Sequence, residues 1–174
     1  MILKLSYLFL IGSVMGWLIE LIFRSFTAKK IISFGALKGP YLPLHGIGFI
    51  LIYYISTLDV IISIKAILFL IATTLIEYLI GKYFLDVWQL RYWDYSSNRW
   101  NYKGLICPLF SIIWLMLSML FYYFVFPSLQ IYLANVILYK WLIILLFVYY
   151  LVFSIDVLFF IKKLIKKAKP QFHF

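Results

Sequence analysis

The chain has 174 residues, 66% of them hydrophobic and 13% charged, with a mean hydropathy of +1.04. A soluble domain is nearer half apolar and a quarter charged, so composition excludes that class and predicts an all-α, polytopic membrane bundle forming one integral domain over residues 1–174. The net charge of +10 does not point to nucleic acid, because the sixteen Lys and Arg sit at the edges of apolar runs instead of gathering on one basic face.

About 20 apolar residues cross a bilayer, and five stretches meet that need: 5–26, 41–58, 61–85, 105–126 and 141–161, followed by a basic tail, 162–174. The first begins after one early cation, Lys4, and has no small-residue cleavage site, so we expect a retained span and not a signal peptide. Pro43, Gly46 and Gly48 crowd the start of the second, for which a re-entrant or tilted helix is the alternative. Pro127 is expected to open an interfacial connector, Ser128 to Lys140. Gly12 and Gly16 form a GxxxG that permits a close helix crossing, within the chain or between two copies. The single cysteine, Cys107, makes no intrachain disulfide.

Short cytoplasmic loops collect Lys and Arg. With the N-terminus outside, Lys4, Lys65 and Lys140 lie on the outer side. The inner side takes Arg24, Lys29, Lys30 and Lys38 in the first loop, Lys82, Arg91, Arg99 and Lys103 in the third, and the five tail lysines. Thirteen against three predicts five spans in the inner (cytoplasmic) membrane, N-terminus out and C-terminus in. Both elaborate loops, Thr27 to Pro43 and Asp86 to Gly104, then share the cytoplasmic side, toward which Glu20 and Glu77 also lie.

Ionisable groups within hydrocarbon are costly and mark sites or ion pairs. Glu20 and Arg24 are four apart on one helical face and can neutralise each other. Glu77 has Lys82 five residues on, a poorer partner, and is more available. Asp156 is expected to meet Lys65 or a tyrosine of another helix, or to act as a relay group. His45, in the bent segment Gly39 to Gly48, can shuttle a proton, ligate a metal or simply hydrogen-bond. There is no HExxH or CxxC spacing, so no metal is expected. No nucleotide-binding glycine pattern or nucleophile elbow is present either, and no cofactor is expected. The loop from Asp86 to Gly104 holds three of the six Trp, namely Trp88, Trp93 and Trp100, with Asp94, Asn98 and Asn101. Its aromatics are expected to anchor it at the interface, and Asp94 and the amides to orient a headgroup or cap the fourth helix.

In order along the chain stand Gly16-Trp17-x-x-Glu20, Gly39-Pro40-Tyr41-x-Pro43-x-x-Gly46-x-Gly48, Glu77-x-x-x-Gly81, Trp93-Asp94-Tyr95-Ser96, Asn101-x-x-Gly104-x-Ile106-Cys107 and Ser111-x-x-Trp114. Over about residues 12 to 115 this order resembles the CmpB-like family of ABC-transporter type IV membrane proteins. The resemblance implies a permease-like component and leaves the last helix and tail unassigned. A more distant likeness of pattern is to the small membrane lycopene cyclases.

Together these readings predict a cytoplasmic-facing polar pocket for a small molecule or lipid. Arg24, Tyr41, His45, Trp93, Tyr95, Asn98 and Asn101 are its candidate binding residues, with Glu20, Glu77 and Asp94 as candidate acids. The competing expectations are a membrane enzyme using those acids on a lipid or isoprenoid, and a non-catalytic interaction protein. The expected partners are the lipid bilayer, a second copy or another membrane protein, and the pocket's ligand.

Overall fold

The computed structural model describes residues 2–30, 35–135 and 140–168. Its helices are α1 (Ile2–Ala28), α2 (Pro43–Thr57), α3 (Ile62–Trp88), α4 (Pro108–Leu120), α5 (Phe126–Asn135) and α6 (Lys140–Ala168), with a π-helical turn, Phe121–Val125, joining α4 to α5. Among the described residues there is no strand, only an isolated bridge between Tyr102 and Ile106.

Among the described residues, four helices are long and apolar enough to cross a membrane: Ile2–Phe26, Ile62–Trp88, Pro108–Ala134 and Lys140–Lys166. At 1.5 Å per residue a 27-residue helix is about 40 Å long, more than the roughly 30 Å hydrocarbon layer. The second expected span is shorter. Its 15-residue helix covers about 22 Å, and an extended segment before it supplies the remaining depth. Leu42 donates its backbone N–H to the Ser13 carbonyl at 2.9 Å, so the chain has already descended to the middle of α1 before α2 begins.

Small residues allow that approach. Without a hydrophobic drive between helices in lipid, close packing and hydrogen bonds hold a bundle together. Gly12 lies against Phe49, and Gly16 against the His45 ring, so α1 and α2 run antiparallel with almost no separation. The GxxxG spacing is therefore filled within the chain. Beyond α2, α3 returns antiparallel, and α4 packs on α3, with Thr74 donating to the Ser111 hydroxyl at 2.9 Å. Lys65, three residues into α3, is buried and places its ammonium on the Ser56 carbonyl at 3.0 Å, 4.2 Å from the centre of the Tyr122 ring. It thus closes the free carbonyl end of α2.

The fourth span differs from its expected limits. Pro127 lacks an N–H and crowds the carbonyl four residues back, yet the helix continues through it. The preceding turn widens to π geometry, in which the Phe126 N–H reaches the Phe121 carbonyl. The apolar positions Leu129 and Leu133 then continue into a core with Tyr7, Leu8, Leu142 and Leu146. The expected connector from Ser128 is consequently helical to Asn135, and residues 136–139 lie outside the described residues. So does Lys169 of the expected basic tail.

Helix α6 docks by polar contacts and rings. Asp156 accepts hydrogen bonds from the backbone N–H of Lys38 (2.7 Å) and Gly39 (2.9 Å) and from the Tyr41 hydroxyl (2.8 Å). Tyr149 shares a 2.6 Å hydrogen bond with Ser13, and Phe153 packs edge-on against Phe9 and Tyr41. Its expected contact with a tyrosine is present; Lys65 is engaged elsewhere.

Candidate functional site: two cavities sharing a wall of Glu77, His45 and Trp114

The segment between α3 and α4 builds the polar end of the site by bracing itself. Gln89, in the left-handed region (φ 52°), ends α3, with its N–H on the Leu85 carbonyl. Asp94 accepts from the Ser96 amide at 2.9 Å, from the Ser96 hydroxyl at 2.5 Å and from Arg91 at 3.2 Å. The Ser96 hydroxyl and amide hold the Asp94 carboxyl below its ordinary range, with Arg91 adding to them. Asn101 closes the turn, accepting from Gly104 N–H at 2.9 Å and donating to the Asn98 and Ser96 carbonyls. Gly104 (φ +69°) brings its backbone so near Asp94 and Ser96 that a side chain there would collide with both.

This brace points two aromatics into the bundle. Trp93 lies over Gly81 of α3 and donates its indole N–H to the Leu105 carbonyl at 2.8 Å. Tyr95 stacks on Phe110, ring centres 4.4 Å apart, and donates its hydroxyl to Glu77 Oε1 at 2.9 Å. Burial first, and the Glu77 carboxylate second, push the Tyr95 hydroxyl above the usual phenol range, so it remains a donor. Trp114 Nε1 reaches the same Glu77 oxygen at 3.4 Å. Glu77 is 5% exposed, and its Oε2 is buried without a hydrogen-bond partner. His45 packs edge-on against Trp114, ring centres 5.3 Å apart, and both of its nitrogens are likewise buried without a partner. Orphan buried polar atoms are rare because each costs about 1–3 kcal/mol.

These residues form the shared wall of two cavities. One, of about 520 Å³, is apolar and runs along Gly12, Met15, Gly48, Phe49, Phe121 and Phe124. The other, of about 670 Å³, is a vestibule under the braced segment, where Glu20, Arg24, Asp94 and Asn98 join Trp93 and Tyr95. His45, Glu77 and Trp114 line both. The apolar chamber is flanked by α1 and by α4 with the π turn that follows it, where the lining residues Met15 of α1 and Phe124 of the π turn are 49% and 75% exposed. Its mouth therefore opens sideways, to the surface that lipid would cover.

Eight of the ten residues singled out from sequence meet in the vestibule: Glu20, Arg24, His45, Glu77, Trp93, Asp94, Tyr95 and Asn98. Tyr41 and Asn101 do not. Tyr41 is buried beside α6 with its hydroxyl on Asp156, and Asn101 braces the loop. Glu20 and Arg24 form the expected pair, at 2.6 Å, whereas Lys82 pairs with Asp86, and among the described residues Glu77 has no ion-pair partner. Asp94 and the amides do not cap α4: its N-cap, Cys107, makes no side-chain capping bond, and Asn98 reaches only the Cys107 sulfur, donating to it at 3.5 Å. Thr73 bonds the Phe69 carbonyl one turn back on its own helix, while Thr74 crosses to Ser111. Trp114, Phe110 and the π turn were not singled out for the site. The only sequence trace of them was Ser111-x-x-Trp114, a motif without an assigned role. Among the described residues no group of three or more His, Cys, Asp or Glu side chains is placed to share a metal ion.

Long apolar helices, whose few buried ionisable groups face protein or an interior cavity, define a multi-pass α-helical membrane protein. The family described as Putative ABC-transporter type IV (ABC_trans_CmpB) matches residues 7–161, most of the chain, and the protein belongs to that family. No curated protein and no solved structure matches the chain.

Proposed function

We propose that this protein is a permease-like component of the inner membrane, oriented with its N-terminus out and C-terminus in, which takes a small amphipathic or lipid-derived molecule from the bilayer into an intramembrane pocket. The observation that carries this reading is the joining of an apolar chamber to a polar vestibule through Glu77, His45 and Trp114. Binding pockets of this kind are a few hundred Å³, mostly apolar, with a few convergent polar groups that fix orientation. A molecule with an apolar body and one polar end fills both compartments and satisfies the orphan atoms of His45 and Glu77. Binding is favoured over acid–base catalysis, because Glu20 is held by Arg24, and Asp94 by Ser96 and Arg91. Only Glu77 remains available among the three acids.

Gly48 supplies the test. It lines the chamber, and a Cβ built on it meets nothing within 4 Å, so a larger side chain there has room to enter the chamber and obstruct it. Native mass spectrometry of protein released from lipid nanodiscs should show a retained small-molecule or lipid adduct in the wild type and none in Gly48→Phe. Equal adducts in both proteins would remove the pocket from consideration.

A further inference from the structure

Taking the pocket as a binding site, we propose that its ligand is a lipophilic cation: an apolar body in the chamber carrying an amine-type or onium head in the vestibule. The charge inventory is the first ground. The chain carries sixteen basic and six acidic residues, yet the vestibule is lined by three of the acids, Glu20, Glu77 and Asp94, and by one cation, Arg24. With Arg24 on Glu20 and Arg91 on Asp94, the acid of this set left without a cation among the described residues is Glu77, at the join of the two cavities.

The second ground is the burial of that one acid. Glu20 and Asp94 have arginine partners, but among the described residues Glu77 has no ion-pair partner, and its Oε2 has no hydrogen bond. At 5% exposure an uncompensated carboxylate is costly, and a ligand cation beside Oε2 removes that cost. An anionic head would set a second negative charge against the Glu77 carboxylate, and an uncharged one would leave the carboxyl to meet its burial cost by holding a proton.

The third ground is the wall itself. Trp93, Tyr95, Phe110 and Trp114 all line the same space, and aromatic side chains attract ammonium-type heads. The apolar chamber on the far side of Glu77 then holds the hydrocarbon body.

Two hydrophobic ions of the same shape and opposite charge separate this proposal from the pocket reading on which it rests. Saturable binding of tetraphenylphosphonium and of tetraphenylborate is measured on protein in nanodiscs, after subtraction of empty nanodiscs. The wild type should bind the phosphonium at least tenfold more tightly than the borate. Glu77→Gln should weaken phosphonium binding tenfold or more and reduce the discrimination, and Gly48→Phe should abolish phosphonium binding. Equal affinities, tighter borate binding, or no saturable phosphonium binding by the wild type overturns the cationic assignment, and needs no variant to be read. Unchanged phosphonium affinity in a folded Glu77→Gln protein does the same. Phosphonium binding that survives in Gly48→Phe instead sinks the pocket.

Discussion

Glu77 illustrates how one buried acid is held half-satisfied. Tyr95 and Trp114 both address Oε1, leaving Oε2 for the cavity. Tyr95→Phe removes the nearer donor while keeping the ring stacked on Phe110, and a buried hydrogen bond to a carboxylate is worth about 1.5–3 kcal/mol. The variant should melt at lower temperature in detergent, whereas Phe110→Tyr, on the same stack, should change little. Asp94 makes a different prediction. Its folded pKa is depressed by Ser96 below the ordinary 3.8, so its brace is fully present at neutral pH and is lost as pH falls through the folded value. Ser96 amide exchange protection should therefore persist to below the usual carboxylate range in the wild type. In Asp94→Asn it should be weaker and independent of pH. The sequence made Glu77 conspicuous because the only nearby cation sits at a poor helical spacing. It could not show that Lys82 turns to Asp86, nor that Tyr95 reaches back 18 residues to Glu77.

At the scale of helices, the glycines of α1 and α2 divide by what lies beyond them. Gly16 touches the His45 ring, so Gly16→Ala forces α1 and α2 apart despite alanine's better helix propensity. Gly48 faces open space, so Gly48→Ala should keep the fold and gain the roughly 0.5–1 kcal/mol by which alanine exceeds glycine in a helix. Thermal unfolding of the two variants should shift in opposite directions. Asp156 is the corresponding joint of α6. Asp156→Asn keeps the shape but weakens the acceptor for Lys38, Gly39 and Tyr41, and should expose the 35–42 segment to protease while sparing the α3–α4 loop. The apolar run lengths made these helices legible, since hydrocarbon thickness dictates them. The π turn was not legible. Proline usually reads as a terminator, and only the packing of Leu129 and Leu133 beyond it makes continuation favourable.

Over the whole molecule, hydropathy and order of motifs defined a multi-pass helical protein of its family before any coordinates, because lipid leaves the backbone few alternatives. The cavities were less accessible to sequence. They depend on α1 and α4 standing apart around α2 and α3, with Phe23 and Phe110 meeting edge-on at 6.4 Å between ring centres at one end of the gap. No single-residue pattern encodes that separation. The cation distribution further predicts that Ser97 faces the cytoplasm; a cysteine placed there should react with an impermeant reagent only after the membrane is opened.

The central claim is that the bundle admits an amphipathic molecule sideways and holds its polar end at Glu77. An experimental density map of the protein in lipid nanodiscs tests it most directly. Elongated density is expected to enter between Met15 and Phe124, run through the chamber past Gly48 and end beside Glu77 and His45. A chamber that is empty, or closed by direct contact of α1 with α4 along that mouth, would contradict it.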